Sequence, residues 1–288
     1  MEQNSEESTA DRAHGRLAAR LRARLPDLRD AEARVAQVFL DRGADLVGLS
    51  VSDVAALAST APSTVVRACQ RLGFRGYQEV KIAAAREAPQ PAVPSSGDPA
   101  ERALATTVRA AREALDGLAA TVGGAQLRAA AEAIATAGRV LVIGEGLSGA
   151  VALDAAYRLR ALGCGVDVPA DSSTAQLAAG TLPAGAACLA VSHSGATRTV
   201  VDAARRARAA GAEVIALTSY ARSPLTEAAT RSLVAGGQEL VLGLEAVASR
   251  LAHLAVLDAL MLLVRDRRGP SAEAALALSA EVTAQHTY

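Results

Sequence analysis

Apolar positions along the chain follow two different periods, and the change from one to the other divides it. In the first part they recur at helical spacing and predict amphipathic helices over residues 32–41, 52–59, 62–72 and 77–87. The third is the clearest, with Val65, Ala68, Cys69 and Leu72 at i, i+3, i+4 and i+7. The stretch 88–100, APQPAVPSSGDPA, carries Pro89, Pro91, Pro94 and Pro99 and reads as an exposed, semi-extended linker. After it come two Ala-rich helices, 101–120 and 126–137. Short apolar runs at 139–143, 166–168, 187–191, 213–218 and 231–234 then alternate with helical segments, the signature of a parallel sheet. The expected fold class is multidomain α and α/β. It comprises an all-α domain over residues 1–87, the linker 88–100, and an α/β domain over 101–288 whose parallel five-stranded sheet is flanked by helices.

The helix at 52–59, the turn at 59–61 and the helix from Pro62 have helix-turn-helix spacing. Once Val65, Ala68, Cys69 and Leu72 face the core, the opposite face presents Ser63, Thr64, Arg67, Gln70 and Arg71. These are short donors at the helix start followed by longer ones, as contact with phosphates and base edges in a major groove requires. The plainer alternative is an ordinary solvated helix end. Charge favours the first reading locally: the whole chain is neutral, but residues 62–86 carry Arg67, Arg71, Arg75, Lys81 and Arg86 against Glu79 alone, so Lys81 joins the DNA-binding candidates. Aromatic residues make up 2% of the chain, with no Trp, which leaves little for stacking single-stranded bases. Duplex DNA is the expected partner.

Two strand-to-helix turns carry the remaining chemistry. SHSGAT, residues 192–197, gathers three hydroxyls and a glycine at a helix start, where unpaired backbone N–H groups and the helix dipole favour an anion. Turn chemistry with an N-cap is the bland alternative, but a cap needs only one of those hydroxyls. Upstream, GEGLSG, residues 144–149, fits the G-x-G-x-x-G dinucleotide pattern, with Asp167 and Asp171 as candidate ribose-binding acids. A single phosphate held between the two turns accounts for both and for Ser148 inside the first. The candidate phosphate ligands are Ser148, Ser192, Ser194 and Thr197, with the backbone around Gly195.

With these residues in view, the segment 139–264 resembles a sugar isomerase (SIS) domain, a phosphosugar-binding module. The likeness runs through GEGLSG, SHSGAT, VIALTS (214–219), SPL (223–225) and a late helix bearing Glu245, Ser249 and Arg250. It departs at Ala196, where the family often has Glu, and at DSSTAQ (171–176), which lacks a His frequent there. These departures spare the phosphate ligands and leave the sugar open. Glu245 is expected to meet a sugar hydroxyl; a helix-surface acid paired with Ser249 or Arg250 is the alternative. PSTVVRACQRLGFRGYQEVK, residues 62–81, resembles the helix-turn-helix signature of RpiR-type transcriptional regulators, which join such a domain to a C-terminal SIS domain in this order. Ala61 stands where that family tends to place a capping Ser, and Pro62 compensates by fixing φ in the first turn.

The resemblance implies a DNA-binding regulator with no catalytic residues, cofactor or metal. Its partners are a double-stranded operator of inverted-repeat form, a sugar-phosphate effector, and further copies of itself as a homodimer or homotetramer. A phosphosugar isomerase or lyase is the alternative, for which Glu145, His193, Glu239 and Glu245 are the available acids and bases. A dinucleotide-binding protein is the third reading. Cys69, Cys164 and Cys188 lie far apart without metal-ligand spacing, the start of the chain is polar and acidic, and the apolar stretch 240–264 is interrupted by Glu245, Arg250, His253 and Asp258. A cytoplasmic protein without membrane contact is expected.

Overall fold

The computed structural model describes residues 17, 21, 24–87, 98–236 and 247–286. Glu239, Glu245 and most of the 88–100 linker lie outside them. The chain divides into two compact units, with the division along the chain falling between Thr106 and Thr107.

The first unit is helical. Helix α1 (Asp30–Arg42) turns Val35, Ala36 and Phe39 inward. A 3-10 turn (Gly43–Gly48) leads to α2 (Val51–Leu57), which opens on a capping box: Ser50 Oγ accepts from the Asp53 N–H at 3.0 Å, and the Asp53 carboxylate accepts from the Ser50 N–H at 3.0 Å. Helix α3 (Pro62–Arg71) buries Val65, Ala68, Cys69 and Leu72 completely, as the spacing requires. It closes in a Schellman motif. Gly73 takes φ 82°, its N–H reaches Gln70 O at 3.0 Å, and the Phe74 N–H reaches Cys69 O at 2.9 Å. In α4 (Tyr77–Glu87) the Tyr77 ring stacks on Phe39 with centroids 5.8 Å apart, and its hydroxyl reaches Leu46 O and Leu49 O at 3.2 Å.

The second unit is a three-layer α/β domain. Helix α5 (Pro99–Asp116), within which the division falls, a short α6 (Leu118–Thr121) and α7 (Gly124–Thr136) precede the sheet. The single Ala-rich helix expected over 101–120 is broken at Gly117, whose backbone freedom makes it the weakest helix former in that run. Then follow β1 (Val140–Gly144), α8 (Leu147–Ala161), β2 (Val166–Asp167), α9 (Ser172–Gly180), β3 (Ala187–Val191), α10 (Arg198–Ala209), β4 (Glu213–Thr218), α11 (Pro224–Ala228), β5 (Arg231–Val234), α12 (Val247–Arg268) and α13 (Pro270–Gln285). All strands are parallel, in the order β2-β1-β3-β4-β5.

Side chains alternate faces along each strand, and both faces are covered. Val140, Val142, Leu189, Val191, Ile215 and Leu217 share one core with α7, α8 and α12. Leu141, Ile143, Cys188, Ala190, Val214 and Ala216 share the other with α9, α10 and α11. Small Ala side chains in the helices let these layers approach closely. None of the described helices is long and apolar enough to cross a membrane.

Candidate functional site

After β1 the chain leaves through α8 toward β2; after β3 it leaves through α10 toward β4, on the other side. The strand order reverses between them, so the carboxyl ends of β1 and β3 bound the crevice where open α/β sheets bind ligands. Both expected turns lie there. Gly144 packs against the first turn of α8 so closely that a Cβ would sit 2.7 Å from Ser148 O. Gly195, at φ 60°, would place a Cβ 2.1 Å from Ser223 Oγ and 2.5 Å from Ser223 Cβ, so this position requires glycine.

The hydroxyls are arranged as acceptors within the protein. Ser148 Oγ accepts from the His193 N–H at 3.2 Å, and Ser194 Oγ accepts from the Ala196 N–H at 3.2 Å. Ser192 Oγ and Thr197 Oγ1 lie 2.9 Å apart, so one donates to the other. Each arrangement leaves an O–H to be donated, and a phosphate accepts such donors. Neither α8, entered from Gly146, nor α10, entered from Thr197, receives a side-chain cap. Thr197 has turned its hydroxyl to Ser192 instead, and the first-turn N–H groups of α10 remain for an anion, whereas at α8 the Ser148 and Gly149 N–H groups are taken by Glu145 O at 3.1 Å and Gly146 O at 3.0 Å. The loop is fixed from behind: His193 O accepts from Thr218 Oγ1 and from the Ser219 N–H, each at 3.0 Å, and Gly195 O accepts from the Leu225 N–H at 2.9 Å.

Beneath the loop lies a polar cluster that the sequence reading did not assemble. His193 Nδ1 is 2.9 Å from Ser219 Oγ, which lies 3.0 Å from His253 Nε2 on α12 and 2.9 Å from Ala235 O at the end of β5. His253 Nε2 is itself 2.9 Å from Ala235 O, so it carries a proton there, since a carbonyl oxygen only accepts. Burial and then the neighbouring His193 push the His253 pKa down to about 4, so the ring is neutral. Tyr220 completes the surroundings, edge-on to His193 with ring centroids 5.7 Å apart. The only sequence signal for His253 was a polar residue recurring on the buried stripe of a greasy helix.

The rival chemistries find their residues committed elsewhere. Asp167 pairs with Arg139, and Asp171 caps α9 by accepting from the Thr174 N–H at 2.9 Å and from its hydroxyl at 2.7 Å, bonds that lower the Asp171 pKa. Neither is held out for a ribose. Of the acid–base candidates, Glu145 is exposed and His193 is joined to Ser219, while Glu239 and Glu245 lie outside the described residues. Burial raises the Cys69 and Cys188 thiols to about 12, which leaves them inert.

On α3, Ser63, Arg67 and Gln70 are exposed. Thr64 is not: it is buried, and its Oγ1 accepts from Arg67 Nη2 at 3.0 Å, which steadies that guanidinium from beneath. Arg71 is tied down, with Nη1 3.3 Å from Glu32 Oε2, a buried carboxylate on α1 that also accepts from the Arg29 N–H at 3.1 Å. Lys81 requires correction as a DNA contact, for it is 4% exposed. It falls on the inward stripe of α4 formed by Tyr77, Val80, Ala84 and Ala85, at i, i+3, i+4, i+7 and i+8, a periodicity that the local charge count ignored.

Residues 15–91 match the helix-turn-helix domain of the rpiR family, and residues 133–263 match the SIS domain. The chain is 31% identical over 243 residues to an uncharacterized HTH-type transcriptional regulator of Caldanaerobacter subterraneus, covering 83% of this chain and 86% of that protein. It is 30% identical to the HTH-type transcriptional regulator HexR of Pseudomonas aeruginosa, over 88% of this chain and 90% of HexR. The structure of the Vibrio vulnificus NanR protein complexed with ManNAc-6P superposes with a TM-score of 0.79 at 28% identity, covering 94% of this chain and 99% of NanR. Sequence, domain order and fold agree that the chain belongs to the rpiR family of helix-turn-helix transcriptional regulators, with a SIS domain as its C-terminal unit.

Proposed function

We propose that this regulator binds a phosphorylated sugar in the crevice between β1 and β3, and that the bound sugar changes its affinity for an operator. One observation carries the reading: Ser148, Ser194 and the Ser192–Thr197 pair accept hydrogen bonds from within the protein and keep O–H donors beside two helix starts that no side chain caps. That set suits a phosphate ester. NanR, complexed with ManNAc-6P, supports the ligand class. Ser63, Arg67 and Gln70 are the side chains offered to duplex DNA, with Thr64 supporting Arg67; Arg71 acts mainly by holding Glu32. The protein acts without catalysing a reaction, in the cytoplasm, as a homodimer or homotetramer, and its operator is an inverted repeat with half-sites about one helical turn, or a multiple of it, apart.

Thermal-shift and calorimetric screening with ManNAc-6P, hexose and pentose phosphates, their unphosphorylated sugars and inorganic phosphate tests this. A phosphorylated sugar should stabilise the protein and bind with measurable heat, while its unphosphorylated counterpart should not. The same compound should shift operator affinity by roughly 5- to 150-fold. Failure of every phosphorylated sugar to bind would overturn the reading.

A further inference from the structure

We propose that His253 is a positioning residue for the effector loop: through Ser219 it holds the His193 side chain, and with it the backbone that presents Ser148, Ser192, Ser194 and Thr197. The proposal rests on the sugar-phosphate reading for its functional meaning, but its geometry stands independently. His253 is 1% exposed on α12, among Ala248, Ala252, Val256, Leu257 and Leu260, where an imidazole needs a polar partner to repay its desolvation. It has two, Ala235 O and Ser219 Oγ. Ser219 therefore joins the end of β4, the end of β5, α12 and the β3 loop at one oxygen. From there the line continues into the cradle. The residue whose ring is held by Ser219 is the one whose backbone N–H donates to Ser148 Oγ and whose carbonyl accepts from Thr218 and Ser219. Both halves of the cradle, the β1 turn and the β3 loop, meet at His193.

Packing reinforces the point. Gly236 lies so close to Ser219 that a Cβ there would come within 2.6 Å of Ser219 Cβ and 2.8 Å of its Oγ. The serine hydroxyl is thereby confined between β5 and the two imidazoles. With His253 replaced by an apolar side chain, Ser219 and Ala235 each lose a partner. The constraint that disappears is the one on the His193 ring, at the loop end of the chain, because the β4 and β5 ends keep their sheet hydrogen bonds.

The test is amide hydrogen exchange by NMR on the full-length, ligand-free protein. In His253→Leu, exchange at His193, Ser194 and Gly195 should accelerate about tenfold, the effect of one lost buried hydrogen bond, while Ile215, Ala216 and Leu217 in β4 stay unchanged. His253→Gln, whose amide N–H can replace the imidazole donor, should restore the slow rates. Ser219→Ala should reproduce the loop-confined acceleration, and serves in its place if the Leu variant does not fold. Unchanged loop exchange, or acceleration spread evenly over the sheet, would overturn the proposal. The same variants titrated with inorganic phosphate and ManNAc-6P separate the two readings. Affinity about tenfold weaker in His253→Leu and recovered in His253→Gln supports both. Loop-confined exchange changes in a protein whose wild type binds neither probe would uphold the positioning role and remove ManNAc-6P as the effector.

Discussion

Helices α9 and α11 close their own starts, whereas α8 and α10 do not. Asp171 accepts from the Thr174 N–H, and Ser223 accepts from the Thr226 N–H at 3.3 Å while its own hydroxyl turns to Thr226 Oγ1 at 3.4 Å. These ends are satisfied internally. At α8 and α10 the nearby hydroxyls accept from loop backbone or from each other, leaving hydroxyl protons at both starts, and the first-turn N–H groups of α10, for something else. All four helices follow strands of one sheet, so the contrast is not a matter of fold. Polar groups have been withheld from local structure where the strand order reverses, which is where open α/β sheets accommodate ligands.

The most severe challenge to that contrast is Gly195→Ala. A methyl group at φ 60°, aimed at Ser223 Oγ 2.1 Å away, would push the open loop off the closed start of α11. The expected cost is about 2–4 kcal/mol of stability in the SIS unit, with effector binding lost; urea melts and calorimetry measure the two. A silent Gly195→Ala would mean that the loop is not held as described.

Acid probes the layer beneath the cradle. Folding holds His253 neutral with a pKa of about 4, whereas its ordinary value is 6.5. The unfolded chain therefore takes up a proton that the native state refuses. This contribution to stability is complete above pH 6.5 and is lost as the pH falls toward 4, by roughly 3 kcal/mol. Thermal melts across that window should show the decline in wild type and a shallower one in His253→Gln.

The contrast is sharpened by exchanging one residue from each side. Thr197→Ala should weaken effector binding about tenfold or more while leaving stability nearly unchanged, since Thr197 caps nothing. Asp171→Ala should do the reverse, lowering stability by about 1 kcal/mol through loss of a cap and leaving effector affinity alone. Calorimetric titrations and denaturant melts on the pair decide it.

The smallest effects separate committed from available groups in the other unit. Arg67→Ala should weaken operator binding and relax base preference or flatten the salt dependence, with little change in stability. Arg71→Ala leaves the Glu32 carboxylate buried without its cation and should lower stability by about 1 kcal/mol. Equal behaviour of the two variants in salt-series binding and melting would erase the distinction.

Strands β3, β4 and β5 were legible to the residue; in β3 and the interior of β4 this is because unbroken apolar runs bounded by turn residues leave little freedom in a sheet covered on both faces. The α3 core face followed equally directly from period. Lys81 was added by net charge over a segment, and Thr64 was assigned to the outer face of α3 by its place in the helix, yet both are turned inward. Gly117 was overlooked as a break because Ala on both sides kept the helical pattern alive. The crevice hydroxyls were found since each turn is local, but Ser219 and His253 stand 34 positions apart and meet only through folding.

The chain contains no tryptophan and four tyrosines, so its near-ultraviolet emission belongs to tyrosine alone. Tyr77 is sealed against Phe39 in the helix-turn-helix unit, whereas Tyr220 sits edge-on to His193 at the rear of the crevice. A quencher of tyrosine emission would reach the two rings unequally. With Tyr77, Tyr288 and the exposed Tyr157 replaced by Phe, the light of Tyr220 alone would report on the crevice loop beside it with no label attached.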